Sequence, residues 1–198
     1  MARACFSISL FFLLTNVAVF LISSGAKGEA TGNASEGVIC EGRYVLCTSA
    51  PCVPDPRDPN TIAICLCEVN EGKSFGMKPC PERAPHSDKS GVETLISTYS
   101  FAEAPTKPVM ICPSGKPWTD CLDKPCTVDP LDPLKAICAC DIKRTNRFVT
   151  YGANCNGITC NTGFWSGATV EAFVSATEIL GQALGLEKSP ATFCPGVK

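Results

Sequence analysis

Pro51-Cys52-Val53-Pro54-Asp55-Pro56-Arg57-Asp58-Pro59 returns later in the chain as Pro125-Cys126-Thr127-Val128-Asp129-Pro130-Leu131-Asp132-Pro133. Just beyond each copy, Ala63-Ile64-Cys65-Leu66-Cys67 is answered by Ala136-Ile137-Cys138-Ala139-Cys140. Such self-similarity marks a module written twice. Working outward, the first copy carries Cys40, Cys47, Cys52, Cys65, Cys67 and Cys80, separated by 6, 4, 12, 1 and 12 residues. The second carries Cys112, Cys121, Cys126, Cys138, Cys140 and Cys155, separated by 8, 4, 11, 1 and 14. Tyr44 and Trp118 each stand three residues before the second cysteine of their set. Further on, Val92-Glu93-Thr94-Leu95-Ile96-Ser97 matches Val170-Glu171-Ala172-Phe173-Val174-Ser175. Each unit therefore joins a cysteine-rich part to a cysteine-free apolar part.

The N-terminus bears on the redox compartment. Arg3 is the only charge before Lys27, an apolar stretch runs from Phe6 to Ile22, and small residues follow at Ser23-Ser24-Gly25-Ala26. That order is the pattern of a secretory signal peptide. Thr15-Asn16 interrupts the stretch, which falls short of the about 20 apolar residues a spanning helix needs. The expected organisation is a signal peptide over 1–26, a linker over 27–37, repeat 1 over 38–108, repeat 2 over 109–188 and a tail over 189–198, secreted or periplasmic, with no membrane span after cleavage. Cys5 lies in the leader, so 14 of the 15 cysteines remain. A dense, even set behind an export signal implies disulfides, which small modules with little apolar surface to bury require. A formal net charge of −2 leaves no basic footprint for nucleic acid. Asn33-Ala34-Ser35 fits the N-glycosylation acceptor pattern.

The expected fold class is small and disulfide-rich: two tandem β-hairpin and loop-rich Cys modules with a C-terminal amphipathic α-helix. Residues 61–67, 135–140 and 147–151 read as strands. Thr169 to Leu184 reads as a helix capped by Thr169, with Gly185 suited to its end and Pro190 beyond. Val170, Phe173, Val174, Leu180 and Leu184 fall on one face of it. The matching segment of copy one, with Val92, Leu95, Ile96 and Tyr99, admits either helix or strand. Cys160 and Cys194 lie outside the two six-cysteine sets, and since each set is even, arithmetic pairs them with each other.

Candidate chemistry is sparse. Cys65/Cys67 and Cys138/Cys140 each point to one side of a strand and read first as half-cystines, with a redox dithiol or a soft-metal site as the alternative. Asp55, Asp58, Asp129 and Asp132, each beside a proline, read as turn formers, with calcium or acid–base chemistry as the alternative. His86 is the sole histidine, so nucleophilic hydrolysis finds little support. No catalytic residue, metal or cofactor is expected. Lys143, Arg144, Arg147, Phe148 and Tyr151 form a basic and aromatic loop that could meet an acidic partner, since framed loops carry recognition. Trp118 and Trp165 read as core anchors.

The cysteine spacing, four residues between the second and third and one between the fourth and fifth, resembles that of the EGF-like module. The aromatic-glycine pairs Tyr151-Gly152 ahead of Cys155 and Phe75-Gly76 ahead of Cys80 add to the resemblance. It implies the pairings Cys40–Cys52, Cys47–Cys65, Cys67–Cys80, Cys112–Cys126, Cys121–Cys138 and Cys140–Cys155. The functional expectation is an exported, disulfide-stabilised protein with a non-enzymatic binding or structural role, its partner an extracellular or periplasmic protein or glycan. The alternatives are a redox or soft-metal protein using the Cys-x-Cys pairs, and an inhibitor of an extracellular hydrolase.

Overall fold

A computed structural model describes residues 37–144, 146–152, 154–161 and 163–195. The expected signal peptide, nearly all of the linker and the glycosylation acceptor lie outside the described residues. The described residues form one compact unit, mostly of strands with few helices.

The Asp-Pro stretches explain the architecture. Asp55 Oδ1 accepts from the backbone N–H of Arg57 at 2.9 Å, and Asp129 Oδ1 from that of Leu131 at 2.8 Å. The acids are turn formers, as expected, but the turns they form are the tips of hairpins. Before the first tip run β1 (Val38–Leu46) and β2 (Cys52–Pro54), and after it β3 (Ile62–Gly76). β1 and β2 both pair antiparallel with β3, giving one long arm with a bulge between Leu46 and Cys52. β4 (His86–Ser87) and β5 (Glu93–Thr98) follow, then β6 (Val109–Cys112). The second arm is built like the first, from β7 (Trp118–Asp120), β8 (Pro125–Val128) and β9 (Lys135–Lys143). β10 (Phe148–Tyr151), α1 (Ile158–Asn161), β11 (Trp165–Thr169) and α2 (Val170–Ala183) complete the chain.

β3 and β9 pair antiparallel, with Cys65 opposite Cys138, Ala63 opposite Cys140 and Cys67 opposite Ala136. Each of these pairings joins one repeat's residue to a residue of the other, so exchanging the copies maps the register onto itself. A local two-fold axis therefore passes beside Cys65 and Cys138. β3, β1, β5, β8 and β9 close into a ring, since β5 pairs with both β1 and β8 and β9 returns to β3. Inside it lie Val45, Leu95, Val128, Ala136 and seven buried cysteines, with Cys52 packed against them.

Seven disulfides form, and their pattern corrects the expected one. Copy one pairs Cys40–Cys80, Cys47–Cys67 and Cys52–Cys65. Copy two pairs Cys112–Cys160, Cys121–Cys140 and Cys126–Cys138. The EGF-type pairings Cys40–Cys52, Cys47–Cys65, Cys67–Cys80, Cys112–Cys126, Cys121–Cys138 and Cys140–Cys155 are not formed. The reason is the hairpin: an antiparallel arm brings together residues equally far from its tip, so the bridges nest. Cys52 stands opposite Cys65 with Cα atoms 4.2 Å apart, while Cys40 stands opposite Ser74 at the far end of the arm. The Cys160–Cys194 pairing fails too. Cys160, on α1, takes the place that Cys80 holds in copy one, and the bridge that ties back the C-terminus is Cys155–Cys194.

The apolar match between Val92–Ser97 and Val170–Ser175 also gives way. Val45 and Leu46 pair parallel with Ser97 and Thr98 of β5, and Thr119 and Asp120 pair parallel with Ser166 and Gly167 of β11. β5 therefore corresponds to β11, and α2 is an addition of copy two. Each closing strand also crosses to the other repeat: Ser97 N–H donates to Lys124 O at 2.9 Å and Ser166 N–H to Ala50 O at 3.0 Å. α2 begins where expected, with Thr169 Oγ1 accepting from Ala172 N–H at 3.1 Å. Its packed stripe is Phe173, Ala176 and Leu180 against Phe75, Tyr99 and Ala168, whereas Val174 and Leu184 are exposed. The packed face is turned from the predicted one, with Ala172 and Ile179 packed in place of Val174 and Leu184.

Close approach of backbone to backbone demands glycine at position 167. A Cβ on Gly167 would lie 2.6 Å from Val149 O and 2.9 Å from the Phe148 ring, where β11 meets β10. Gly167→Ala is expected to destabilise the protein by about 1–3 kcal/mol through overpacking, measured by denaturant titration; an unchanged midpoint would contradict this packing.

Candidate functional site

The expected partner-binding loop divides in two. Lys143 ends β9 with its ammonium 3.4 Å from Asp141 Oδ2, Arg144 donates to Asn60 O at 2.7 Å, and exposed Arg147 lines a shallow polar cleft with Ser114, Asn146 and Glu171. Phe148 and Tyr151, at 1 % and 3 % exposure, are core residues and offer a partner nothing. β10 runs between β6 and β11, and both of its faces are covered, Phe148 by Trp118 and Cys112 and Val149 and Tyr151 by Ala104 and Phe173, so all four residues are buried. Phe148 stacks on Trp118 at 5.4 Å, and Tyr151 meets Phe173 edge-on at 6.4 Å. Trp118 is the core anchor expected, and Trp165 sits half-buried opposite it.

The Cys-x-Cys sulfurs are brought together at the two-fold. Cys47 Sγ lies 3.4 Å from Cys138 Sγ, and Cys121 Sγ 3.7 Å from Cys65 Sγ. Cys47, Cys121 and Cys140 place their sulfurs within 4.8 Å of one another, as do Cys47, Cys67 and Cys138. Metal-ligand spacing alone would admit a soft cation. Every one of these sulfurs is in a disulfide, however, and a disulfide sulfur is not the thiolate that binds such an ion. The cluster is chemically a packed core. His86 is exposed on β4 opposite Thr94.

A polar network that sequence reading did not single out sits at the bulge of the first arm. The buried Glu103 carboxylate accepts from Thr48 Oγ1 at 2.8 Å, Ser49 Oγ at 2.5 Å and Lys107 Nζ at 2.5 Å. Lys107 Nζ also donates to Ser49 Oγ at 2.6 Å. Ser49 here has a carboxylate partner and an ammonium partner but no imidazole. Its hydroxyl is held by both, so the geometry pins the bulge rather than freeing a nucleophile. The only sequence trace was the four-residue spacing of Glu103 and Lys107.

The outer face of the central pair is the most distinctive surface. Strand alternation sends Cys65, Cys67, Cys138 and Cys140 into the ring and their neighbours outward. The outward set is aliphatic: Val53 is 64 % exposed, Leu66 54 % and Ile137 50 %, with Ile64 and Ala139 beside them. Register arranges them in two rows, Val53·Ile64·Ala139 and Leu66·Ile137·Thr127, which the two-fold exchanges. A Glu68–Lys135 ion pair at 3.1 Å borders the patch. Beyond it, the second hairpin tip exposes Leu131 and Leu134, whose N–H groups are held by Asp129 and Asp132.

No family model, curated protein or solved structure matches this chain. Among the described residues, no helix is long and apolar enough to cross a membrane.

Proposed function

We propose that this chain acts outside the cytoplasm as a non-enzymatic, disulfide-stapled binding protein, and that its partner is a protein covering the outer face of β3 and β9. The observation that carries this reading is the aliphatic patch of Val53, Ile64, Leu66 and Ile137 on strands whose reverse side is locked by four disulfides. Contiguous exposed apolar surface marks interaction sites, and a rigid platform loses little conformational freedom on binding. Glycan recognition uses exposed aromatic faces, and this patch has none, which favours a protein over a glycan. Half-buried Lys143 at the end of β9, with exposed Arg144 and Arg147 beyond it, would add charge selectivity at the rim.

The test is the double variant Leu66→Glu/Ile137→Glu, with Leu131→Glu as control. Stability is expected to change by no more than about 0.5 kcal/mol per site, since both side chains are half in water. Binding to the native partner is expected to fall about 10–1,000-fold, as two interface anchors of about 1–2 kcal/mol each imply. Undiminished affinity in the double variant would sink the assignment of this face. Loss in Leu131→Glu alone would favour a second reading, an inhibitor presenting the rigid Asp129–Leu134 tip to an extracellular hydrolase. That reading draws on the near-complete exposure of Leu131 on a tip whose backbone is tied by side-chain hydrogen bonds.

A further inference from the structure

The two-fold that relates the repeats is broken at the outer edge of β2. In repeat 2 the matching strand β8 is covered there: Leu95 of β5 stands opposite Cys126, flanked by Thr94 opposite Thr127 and Ile96 opposite Pro125. The two-fold would put Phe164 opposite Cys52, because Ser166 N–H donates to Ala50 O as Ser97 N–H donates to Lys124 O. That pairing does not form. Phe164 takes a left-handed backbone, with φ 48°, and its N–H donates instead to Pro117 O at 3.1 Å, just ahead of β7. A bulky residue rarely adopts this conformation, and here it carries the chain onto Pro117 rather than along β2. The ring of β3, β1, β5, β8 and β9 is closed, whereas its counterpart, β9, β7, β11, β2 and β3, is open between β11 and β2.

Hydrogen-bond alternation shows what the open edge offers. Asp55 N–H donates to Ile62 O at 2.9 Å, so Val53 bonds across to Ile64, and the N–H and C=O of Cys52 point the other way. These two groups find no backbone partner among the described residues. Pro54 adds only a carbonyl, which keeps any added strand short. Exposure follows the same asymmetry: Cys126 and Val128 are buried, while their counterparts Cys52 and Pro54 are half-buried. An unpaired strand edge is a template for another strand. On the outer face, β2 presents exposed Val53 beside Ile64. Behind Cys52, the fully buried Thr119 holds its Oγ1 3.1 Å from Cys52 Sγ and 3.4 Å from Phe164 O, so a small side chain is what fits opposite Cys52.

We propose that β2 takes an extended segment of the partner protein as an added antiparallel strand, in the place that β5 holds on β8. The segment has a small residue opposite Cys52 and aliphatic residues on either side of it, which alternation sends to the outer face beside Val53. This added strand rests on the reading of the outer face as the partner's surface, and it names the form in which the partner meets that face. The probe is the peptide acetyl-Lys-Thr-Val-Ala-Val-Thr-Lys-amide, added to the intact protein, with amide chemical shifts and hydrogen exchange as readouts. The amides of Cys52 and Val53 are expected to shift saturably, and exchange at Cys52 to slow at least about tenfold at saturation. The same peptide N-methylated at its alanine loses the donor that faces Cys52 and is expected to bind at least about tenfold more weakly. Val53→Lys, at a site mostly in water, is expected to weaken binding several-fold with the fold unchanged. No saturable shift at Cys52 overturns the proposal, as does equal binding of the N-methylated peptide. A Cys52 amide already protected in the free protein overturns it too, since the edge is then closed by the chain itself. A silent peptide leaves the Leu66→Glu/Ile137→Glu test of the outer face standing, and undiminished partner affinity in that double variant leaves the peptide result standing.

Discussion

Removing the Cys47–Cys67 bridge by a double alanine substitution is expected to cost more stability than removing Cys155–Cys194, and to leave little folded protein at 37 °C. Loop entropy alone ranks the two the other way. The bridges span 20 and 39 residues, and the longer loop restricts the unfolded chain by about 0.6 kcal/mol more. Packing reverses the order. Cys47 and Cys67 are both buried in the ring, with Cys47 Sγ against Cys138 Sγ at 3.4 Å, whereas Cys155 lies at the surface. Deleting two buried sulfurs leaves a void among neighbours that are themselves cross-linked and cannot collapse into it. Transfer and cavity terms of about 1–2 kcal/mol per sulfur exceed the entropy difference and add to the about 2–5 kcal/mol usual for a native bridge. Non-reducing thermal and denaturant melts of the two double variants decide the matter. Equal losses would mean that the sulfur cluster is not the mechanical centre of the protein.

The second large effect is at alkaline pH. All three tyrosines, Tyr44, Tyr99 and Tyr151, are buried. Burial pushes each phenol above its ordinary value of 10: Tyr99 well above it, with Asp120 and Asp123 adding to the shift, and Tyr151 with Glu103 adding. Burial raises Tyr44 too, partly opposed by its hydrogen bond with Ser100 and reinforced by Glu103. A folded-state value above the unfolded one means that stability is fully present below about pH 10 and is lost as pH rises past it. Each phenol that ionises only on unfolding contributes about 1.4 kcal/mol per pH unit, so three give roughly 4 kcal/mol per unit. Phenolate absorbance is therefore expected to appear cooperatively, together with the loss of far-ultraviolet dichroism, well above pH 10. Smooth titration of all three near pH 10 with the dichroism intact would contradict their burial.

Much of this architecture is legible in the residues, because it depends on local chemistry. Strand alternation around Cys65 and Cys138, the Thr169 cap of α2 and the turn chemistry of Asp55 and Asp129 are set within a few positions. So is the even count of cysteines, all fourteen of which are paired among the described residues. Spacing could not decide which cysteine meets which. Pairing depends on which strands lie side by side, and the bridges nest because Asp55–Thr61 forms the tip of a hairpin that folds β2 back on β3. The same holds for Cys160, which reaches Cys112 only because the chain returns through α1.

The candidate sites divide along the same line. Alternation marks Leu66 and Ile137 as pointing away from the cysteines, but only the β3–β9 register makes them neighbours across the two-fold. Phe148 and Tyr151 read as surface aromatics beside basic residues until Trp118 packs on one and Phe173 of α2 on the other. Cys52 and Cys126 stand in matching sequence, and only the turn of the chain at Phe164 leaves the edge beside Cys52 open. By itself, then, the sequence determined the doubled module, its strands and turns, and its dependence on cystine. The tertiary structure alone decided the bridges, the joining of the two repeats and the faces left open to partners, since contacts between distant residues follow from strand register, which no single segment encodes.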